Sequence, residues 1–409
     1  MASVTSFPKE RIKVLLLENI HPGAVERFKS DGLSVELQSA ALGERELCEK
    51  IEDVHLLGIR SKTRVTPKVL EAARRLLSVG CFCIGTNQVA LEAAAKRGVV
   101  VFNAPFSNTR SVAELIISEV IALSRQLMDQ SKGMHEGNWN KSATGSFEIR
   151  GKTLGIIGYG HIGRQVGVIA EALGMNVIFY DIVQELPMGN NKEMPSLDAL
   201  LAASDFVTLH VPATDQTRRM IGAEQLSKMR PGSRLLNLSR GNVVDIDALA
   251  EALRSGHLSG AAIDVFPQEP ESNKERFVSP LQGLRNVILT PHVGGSTEEA
   301  QAAIGREVST TLIKFLNSGS TLQAVNFPKV EPAPLRGRHR ILNIHRNVPG
   351  VLSSINTIIS ELNANVESQI LETNQDLGYL VMDLDRDVSE QVRARVSALE
   401  TNIRTRILY

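Results

Sequence analysis

The sequence predicts an α/β protein with two doubly wound parallel-sheet domains, followed by a smaller unit of β-α-β-β-α-β order. Three observations predict it. Short apolar runs alternate with helical stretches along two successive segments, the pattern of parallel sheets covered by helices on both faces. A glycine-rich turn directly follows one such run in the second segment. Beyond a stretch rich in proline and glycine, Pro328 to Gly337, the order of the elements changes.

A chain of 409 residues exceeds one ordinary domain and implies two or three. Hydrophobic residues make up 43% and charged residues 22%, as in ordinary globular proteins. Lys+Arg and Asp+Glu both number 45, so no general attraction to nucleic acid or to an anionic membrane is indicated. Cys48, Cys81 and Cys83 are an odd, sparse set, which argues against a disulfide framework. The spacing of Cys81 and Cys83 is not that of a metal finger; both read as small buried hydrophobes on one face of an extended run. Met1 to Arg11 is polar and lacks a signal-peptide core. No run approaches the roughly 18 apolar residues of a membrane helix, so a cytoplasmic protein is expected.

In the first segment, Ile12 to about Ala104, strands are expected at Lys13 to Leu17, Leu56 to Ile59, Leu76 to Val79 and Val99 to Phe102. Helices are expected at Val25 to Ser30, Pro67 to Arg75 and Ala90 to Lys96. The second segment opens with a helix over Val112 to Leu127 and a polar stretch from Gly133 to Ser146. Its strands are Thr153 to Ile157, Val177 to Tyr180, Phe206 to Leu209, Arg234 to Leu238, Ala261 to Val265 and Val287 to Leu289. A long helix follows from Thr297 to Asn317, then the linker ending at Gly337. In the third segment, strands are expected at Arg340 to His345, Val366 to Leu371, Tyr379 to Leu384 and Ile403 to Leu408. Val351, Leu352, Ile355, Ile358, Ile359 and Leu362 form one helical face. Asp387 with Glu390 reads as a capping-box start for a second helix. This order is the ferredoxin-like plan.

Gly158-Tyr-Gly160-His-Ile-Gly163 fits G-x-G-x-x-G, a weak pattern alone. Here it follows a strand and opens a helix, and the next strand ends in Asp181. Gly158 permits the tight turn, Gly160 lets a pyrophosphate approach the backbone, and Gly163 lets helix and strand pack closely. The N–H groups around His161 and Ile162 would face the anion. Asp181 can accept hydrogen bonds from a ribose diol and repels a 2′-phosphate, which favours NAD over NADP. This second domain is therefore of the Rossmann type.

Ligands of an open α/β sheet sit beyond the carboxyl ends of its strands. Ser239-Arg240-Gly241, Asp264, Pro267-Gln-Glu269-Pro270 and Thr290-Pro-His292 all fall there. Hydride removal from a hydroxy acid needs a base for the hydroxyl proton, which suits His292. A carboxylate beside it would hold its tautomer and favour its protonated form, which suits Glu269. A guanidinium can bind the substrate carboxylate, which suits Arg240. Asp264 suits the nicotinamide end of the cofactor.

Asn108-Thr-Arg-Ser-Val-Ala-Glu114, Gly158 to Gly163, Asn237-Leu-Ser-Arg-Gly241, Asp264 to Pro270 and Pro291-His-Val-Gly-Gly-Ser-Thr297 together resemble the D-isomer-specific 2-hydroxyacid dehydrogenases. The resemblance spans nearly the whole chain and implies that Arg240, Glu269 and His292 are catalytic. It also implies a flavodoxin-like substrate domain split into 1–106 and 296–330, with a cofactor domain at 107–295 between the pieces. Arg60, Lys62, Asn108 and Lys141 match substrate-side positions, and their cations suit a phosphate as well as a carboxylate. Lys62 departs from the Arg expected in close relatives, which keeps the charge and loses bidentate geometry. The implied substrate is D-3-phosphoglycerate, oxidised to 3-phosphohydroxypyruvate in the first step of L-serine biosynthesis. 2-Oxoglutarate is a second candidate, since its distal carboxylate could take the phosphate site. Trp139 would pack into a neighbouring subunit of a homotetramer, a local core role being the alternative.

The segment 338–409 resembles an ACT regulatory domain through His345-Arg-Asn347-Val-Pro-Gly350 and Asn365. This implies L-serine as an effector held by His345, Asn347 and Asn365; capping of the helix by Asn347 is the plainer alternative. Two other readings stay open. One is a dehydrogenase of another D-2-hydroxy acid, and the other is an NADH-responsive binding protein on the same fold.

Overall fold

A computed structural model describes residues 6–270, 274–335 and 339–409. Contacts divide the chain into two compact units: Met1–Ser107 with Gln301–Tyr409, and Asn108–Ala300.

The first unit begins with strands β1 (Lys13–Leu16), β2 (Ser34–Leu37), β3 (Leu56–Ile59), β4 (Ser78–Cys81) and β5 (Val100–Phe102). They form a parallel sheet of order β2-β1-β3-β4-β5, the flavodoxin-like arrangement. The central strands are buried on both faces, as the continuous apolar runs require. The sequence reading lacked β2, a largely exposed edge strand without a clear apolar face, and the helix Glu44–Lys50, which buries only Leu47. Cys81 is buried as expected, whereas Cys83 is partly exposed and its thiol donates to the Gly85 carbonyl at 3.2 Å.

The second unit holds β6 (Thr153–Ile157), β7 (Asn176–Tyr180), β8 (Lys192–Glu193), β9 (Phe206–Leu209), β10 (Arg234–Asn237), β11 (Gly260–Ile263) and β12 (Val287–Leu289). All seven run parallel in the order β12-β11-β10-β9-β6-β7-β8. The chain starts at β6, builds to one side, then returns to β9 and builds to the other. The switch point thus lies between β6 and β9. The helix Thr109–Arg125 buries Val112, Ile116, Val120 and Leu123 along one stripe. The single helix expected to Leu127 is instead two. Gln126 takes a left-handed conformation at φ 51°, and a second helix runs over Leu127–His135, into the polar stretch that begins at Gly133. The Gln126 side chain fixes the break: its amide donates to the Thr144 carbonyl at 3.1 Å and its oxygen accepts from Arg285 at 2.9 Å.

In the C-terminal part of the first unit lie β13 (His339–Arg346), β14 (Val366–Thr373), β15 (Leu377–Leu384) and β16 (Asn402–Leu408). They form an antiparallel sheet of order β14-β15-β13-β16, with helices Val351–Glu361 and Ser389–Ser397 between strands, as the ferredoxin-like plan predicts. One face packs Ile341, Leu380 and Met382 against Ile355, Ile359, Val392 and Val396 of those helices. The other face carries Leu342, Ile344 and Tyr379 into the core of the first sheet, beside Phe102, Phe315 and Phe327. Arg340 and Asp383 are cross-strand neighbours and form a buried bidentate pair, Nε to Oδ1 at 2.6 Å and Nη2 to Oδ2 at 2.8 Å. Arg340 also donates to the carbonyls of Ser318 and Ala333, 3.0 and 2.8 Å away.

The expected capping box at Asp387 does not form. Val388 is the N-cap and makes no side-chain bond, while the Asp387 carboxylate lies 3.4 Å from His339 Nδ1 and Glu390 pairs with Arg393. Residues 328–335 have no regular structure, as the prolines predict; the linker's end at Gly337 lies outside the described residues. Among the described residues no helix is long and apolar enough to cross a membrane.

Candidate active site

The parallel sheet of the second unit brings its chemistry to one edge. Arg240 follows β10, Glu269 lies in the loop after β11, and His292 follows β12. Glu269 Oε2 lies 2.9 Å from His292 Nδ1, and its Oε1 accepts the Phe266 N–H at 3.1 Å. The carboxylate beside it raises the His292 pKa above the ordinary imidazole value, against the opposing effect of burial. Burial pushes Glu269 upward, but the hydrogen bond and charge of His292, the Phe266 N–H and the Arg240 charge together outweigh it and leave the carboxyl below its ordinary value. The pair is thus a polarised imidazole whose tautomer is fixed by a carboxylate.

His292 adopts φ 56°, a conformation that costs free energy for a non-glycine residue and persists only where the surroundings enforce it. Asp264 does the enforcing. It is 1% exposed. Its Oδ1 accepts from the Thr290 hydroxyl at 2.6 Å and the Val293 N–H at 2.8 Å, and its Oδ2 from the Gly294 N–H at 2.8 Å. Its own carbonyl accepts the His292 N–H at 2.8 Å. Asp264 therefore acts on the site through the loop that carries His292. Behind it, on the helix Thr109–Arg125, sits Glu119. Burial first, and the Asp264 charge second, raise its pKa to about 8, so that it is mostly protonated at neutral pH. Sequence reasoning missed Glu119, whose only signal is a charge on the apolar stripe of a helix.

The Arg240 turn is locked by close backbone approach. A Cβ on Gly241 would lie 2.0 Å from the Phe266 carbonyl carbon, so only glycine lets this turn meet the loop bearing Glu269. The Arg240 guanidinium donates to the Ser239 carbonyl at 2.7 Å, and the Asn237 amide to the Arg240 carbonyl at 3.0 Å. Asn108, at the start of the helix Thr109–Arg125, packs on Gly295, and its Oδ1 is buried with no partner among the described residues.

Gly158 adopts φ 91°, and a Cβ there would lie 2.5 Å from the His210 carbonyl oxygen. At Gly160 a Cβ would meet nothing within 4 Å, so the space over the turn is open. The helix His161–Ala172, which includes Ile162 and Gly163, starts there without a side-chain cap, and its N-terminus carries the positive end of the helix dipole, the end that favours an anion. The Asp181 carboxylate accepts the Tyr159 N–H at 2.7 Å and the Val183 N–H at 3.1 Å, which holds it beside the turn. These residues fit the pyrophosphate and ribose of a dinucleotide.

In the first unit, Arg60 and Lys62 follow β3. Their loop is built on Glu18, a residue the sequence reading missed. Glu18 is 7% exposed with φ 62°, and its carboxylate accepts the N–H groups of Arg60, Lys62 and Thr63 at 3.1, 2.9 and 2.8 Å. No short-range pattern announces it, since its partners lie more than forty residues away. Lys141 is exposed in the second unit.

In the C-terminal sheet, His345 is buried, with Nδ1 2.9 Å from Asn343 Oδ1. Asn347 does not cap the helix Val351–Glu361, whose N-cap is Gly350; its amide donates to the Asn374 carbonyl at 2.7 Å. The Asn365 N–H donates to the Asp385 carboxylate at 2.9 Å and its side chain is exposed.

A model of the NAD binding domain of D-isomer specific 2-hydroxyacid dehydrogenases matches residues 117–294. One of the AHAS small subunit-like ACT domain matches residues 341–404. The chain is 55% identical over 409 residues to D-3-phosphoglycerate dehydrogenase of Dictyostelium discoideum, covering 100% of both chains. It is 53% identical over 412 residues to that of Escherichia coli strain K12, again covering 100% of both. Among solved structures, Aquifex aeolicus D-lactate dehydrogenase complexed with NAD and lactic acid matches at 28% identity and a TM-score of 0.66, covering 77% of this chain and 100% of that one.

Proposed function

The chain belongs to the D-3-phosphoglycerate dehydrogenases, within the D-isomer-specific 2-hydroxyacid dehydrogenase family, and from that premise we propose that it oxidises D-3-phosphoglycerate to 3-phosphohydroxypyruvate. The observation that carries this reading is the His292–Glu269 pair at 2.9 Å, set at the same sheet edge as Arg240. NAD is the cofactor, and when bound it would supply the acceptor for the hydride leaving C2 of the substrate. The proton of the 2-hydroxyl passes to neutral His292, and the Glu269 carboxylate stabilises the imidazolium that results. Arg240 binds the substrate carboxylate. Arg60 and Lys62 supply charge for the phosphate, and Asn108 and Lys141 complete the substrate contacts. Gly158 to Gly163 and Asp181 hold the dinucleotide, and Asp264 steadies the loop at its nicotinamide end.

L-Serine, the product of the pathway, is the effector, held by Asn347 and Asn365 with His345 beneath them. The molecule is a cytoplasmic homotetramer. Trp139, 79% exposed, with Met128 and Met134 also exposed, supports packing of this segment on a neighbouring copy. A substrate panel tests the whole reading. NADH oxidation is followed with 3-phosphohydroxypyruvate, 2-oxoglutarate, hydroxypyruvate and pyruvate, each with and without L-serine. The expected result is preference for the phosphorylated substrate, suppressed by serine. Preference for an unphosphorylated acid would overturn the substrate assignment, and turnover indifferent to serine would overturn the effector.

A further inference from the structure

Within the first unit, a groove of about 400 Å³ opens where the C-terminal sheet meets the first sheet's helical layer. Arg74, Lys96 and Arg97 line it from the first-sheet side, and Arg346 and Arg404 from the C-terminal sheet. No carboxylate is among the lining residues. The guanidiniums are held in place by neutral groups. Arg404 reaches back to donate to the carbonyls of Leu76 and Gly98. Arg97 donates to the Glu71 carbonyl at 3.3 Å, and Arg346 to the Glu400 carbonyl at 2.7 Å. Among the described residues, Arg74 alone of these cations has a carboxylate partner, Glu52 at 3.2 Å, and that pair is exposed and weak. Burial, then the like charges of Arg406 and Arg97, pull the Arg404 pKa down to about 10. Carbonyl anchors position these cations without neutralising them, so their mutual repulsion stands until an anion enters.

We propose that this groove binds a phosphate-bearing polyanion. Fixed guanidiniums match phosphoryl oxygens with paired N–H donors, and a lysine adds a point charge. The volume is in the range of small-molecule sites, enough for linked phosphoryl groups and an attached small moiety. The cations come from two layers, so the ligand bridges them and stabilises the folded unit by mass action. This site is separate from the residues assigned to substrate and NAD, and it does not depend on that assignment.

Calorimetry on the full chain with saturating NADH, which occupies the nucleotide site, tests the proposal with inorganic pyrophosphate and with ATP as probes. The variants are Lys96→Ala/Arg97→Ala, the charge-conserving Lys96→Arg/Arg97→Lys, and Arg60→Ala/Lys62→Ala as a control for binding at the substrate position. Pyrophosphate is expected to bind the wild type and the control. Its affinity should fall at least tenfold in the alanine pair and recover in the conservative pair. Its stabilising shift in melting temperature should vanish in the alanine pair. Tighter binding of ATP than pyrophosphate would identify a nucleotide as the ligand, and equal binding the phosphates alone. Equal pyrophosphate affinity in wild type and the alanine pair, or loss of binding in the substrate-position control, would overturn the proposal.

Discussion

His292 and Glu269 lie 2.9 Å apart, and in the proposed mechanism the protonation of this pair sets the favoured direction of the reaction. With His292 as the proposed base, oxidation is expected to rise as pH passes upward through the raised imidazole pKa, and reduction, which then needs the imidazolium, to fall over the same window. Glu269→Gln removes the main cause of the shift. The acid limb of kcat/KM for oxidation is then expected to move to lower pH, with kcat reduced about 100-fold. A pH–rate profile superimposable on wild type would refute the coupling. Glu18 acts differently, by accepting three backbone N–H groups of the Arg60 loop. Glu18→Gln is expected to raise KM for the phosphorylated substrate about tenfold and to change kcat less. Steady-state kinetics check this, and an equal fall in kcat with unchanged KM would exclude it. Because Glu18 binds the loop through its backbone, the side chains at 60 and 62 can change without refolding it. Lys62 in place of the expected Arg fits that independence.

At the scale of elements, the site depends on turns that bring distant strands' loops into contact. Gly241→Ala would force a Cβ against the Phe266 backbone and separate the Arg240 turn from the loop of Glu269. A fall in kcat/KM of about 100-fold is expected, as for an ångström-scale misplacement of a catalytic group. Kinetics and a melting curve together check it; full activity would show that the contact is not needed. The glycine motif, Asp181, Arg240, Glu269 and His292 were legible because short motifs sit at strand ends and a parallel sheet gathers those ends on one edge. Glu18, Glu119 and the loop-holding role of Asp264 were not, since each depends on a long-range partner or on burial. Helix ends were misread for a related reason. The break at Gln126 is made by Arg285 and Thr144, and the competition for Asp387 by His339, none of them close in sequence.

At the scale of the whole molecule, the C-terminal sheet is bound to the rest of the first unit by a shared core and by Arg340, which Asp383 holds while it donates to the Ser318 and Ala333 carbonyls. Its strand periodicity was readable, but the partner of its second face was not. The clue was that β15 is apolar on both faces, which two small helices on one side cannot cover. Asp383→Asn leaves Arg340 charged and buried. It is expected to cost about 3–5 kcal/mol, measurable by urea unfolding. A loss below 1 kcal/mol would show that water reaches the pair.

The first unit is also discontinuous in sequence: its opening sheet is completed by the long helix ending at Ser318 and by the C-terminal strands. On the ribosome, β1 to β5 emerge first but wait for the covering layers at the far end of the chain. At ordinary elongation rates of about 5–20 residues per second, that wait is roughly 15–60 s. The intervening Asn108–Ala300 unit is contiguous and can close on itself during that interval. The β1–β5 sheet is thus synthesised before the Asn108–Ala300 unit and finished after it, so the nascent chain carries exposed apolar strands throughout that interval and depends most on holding factors there.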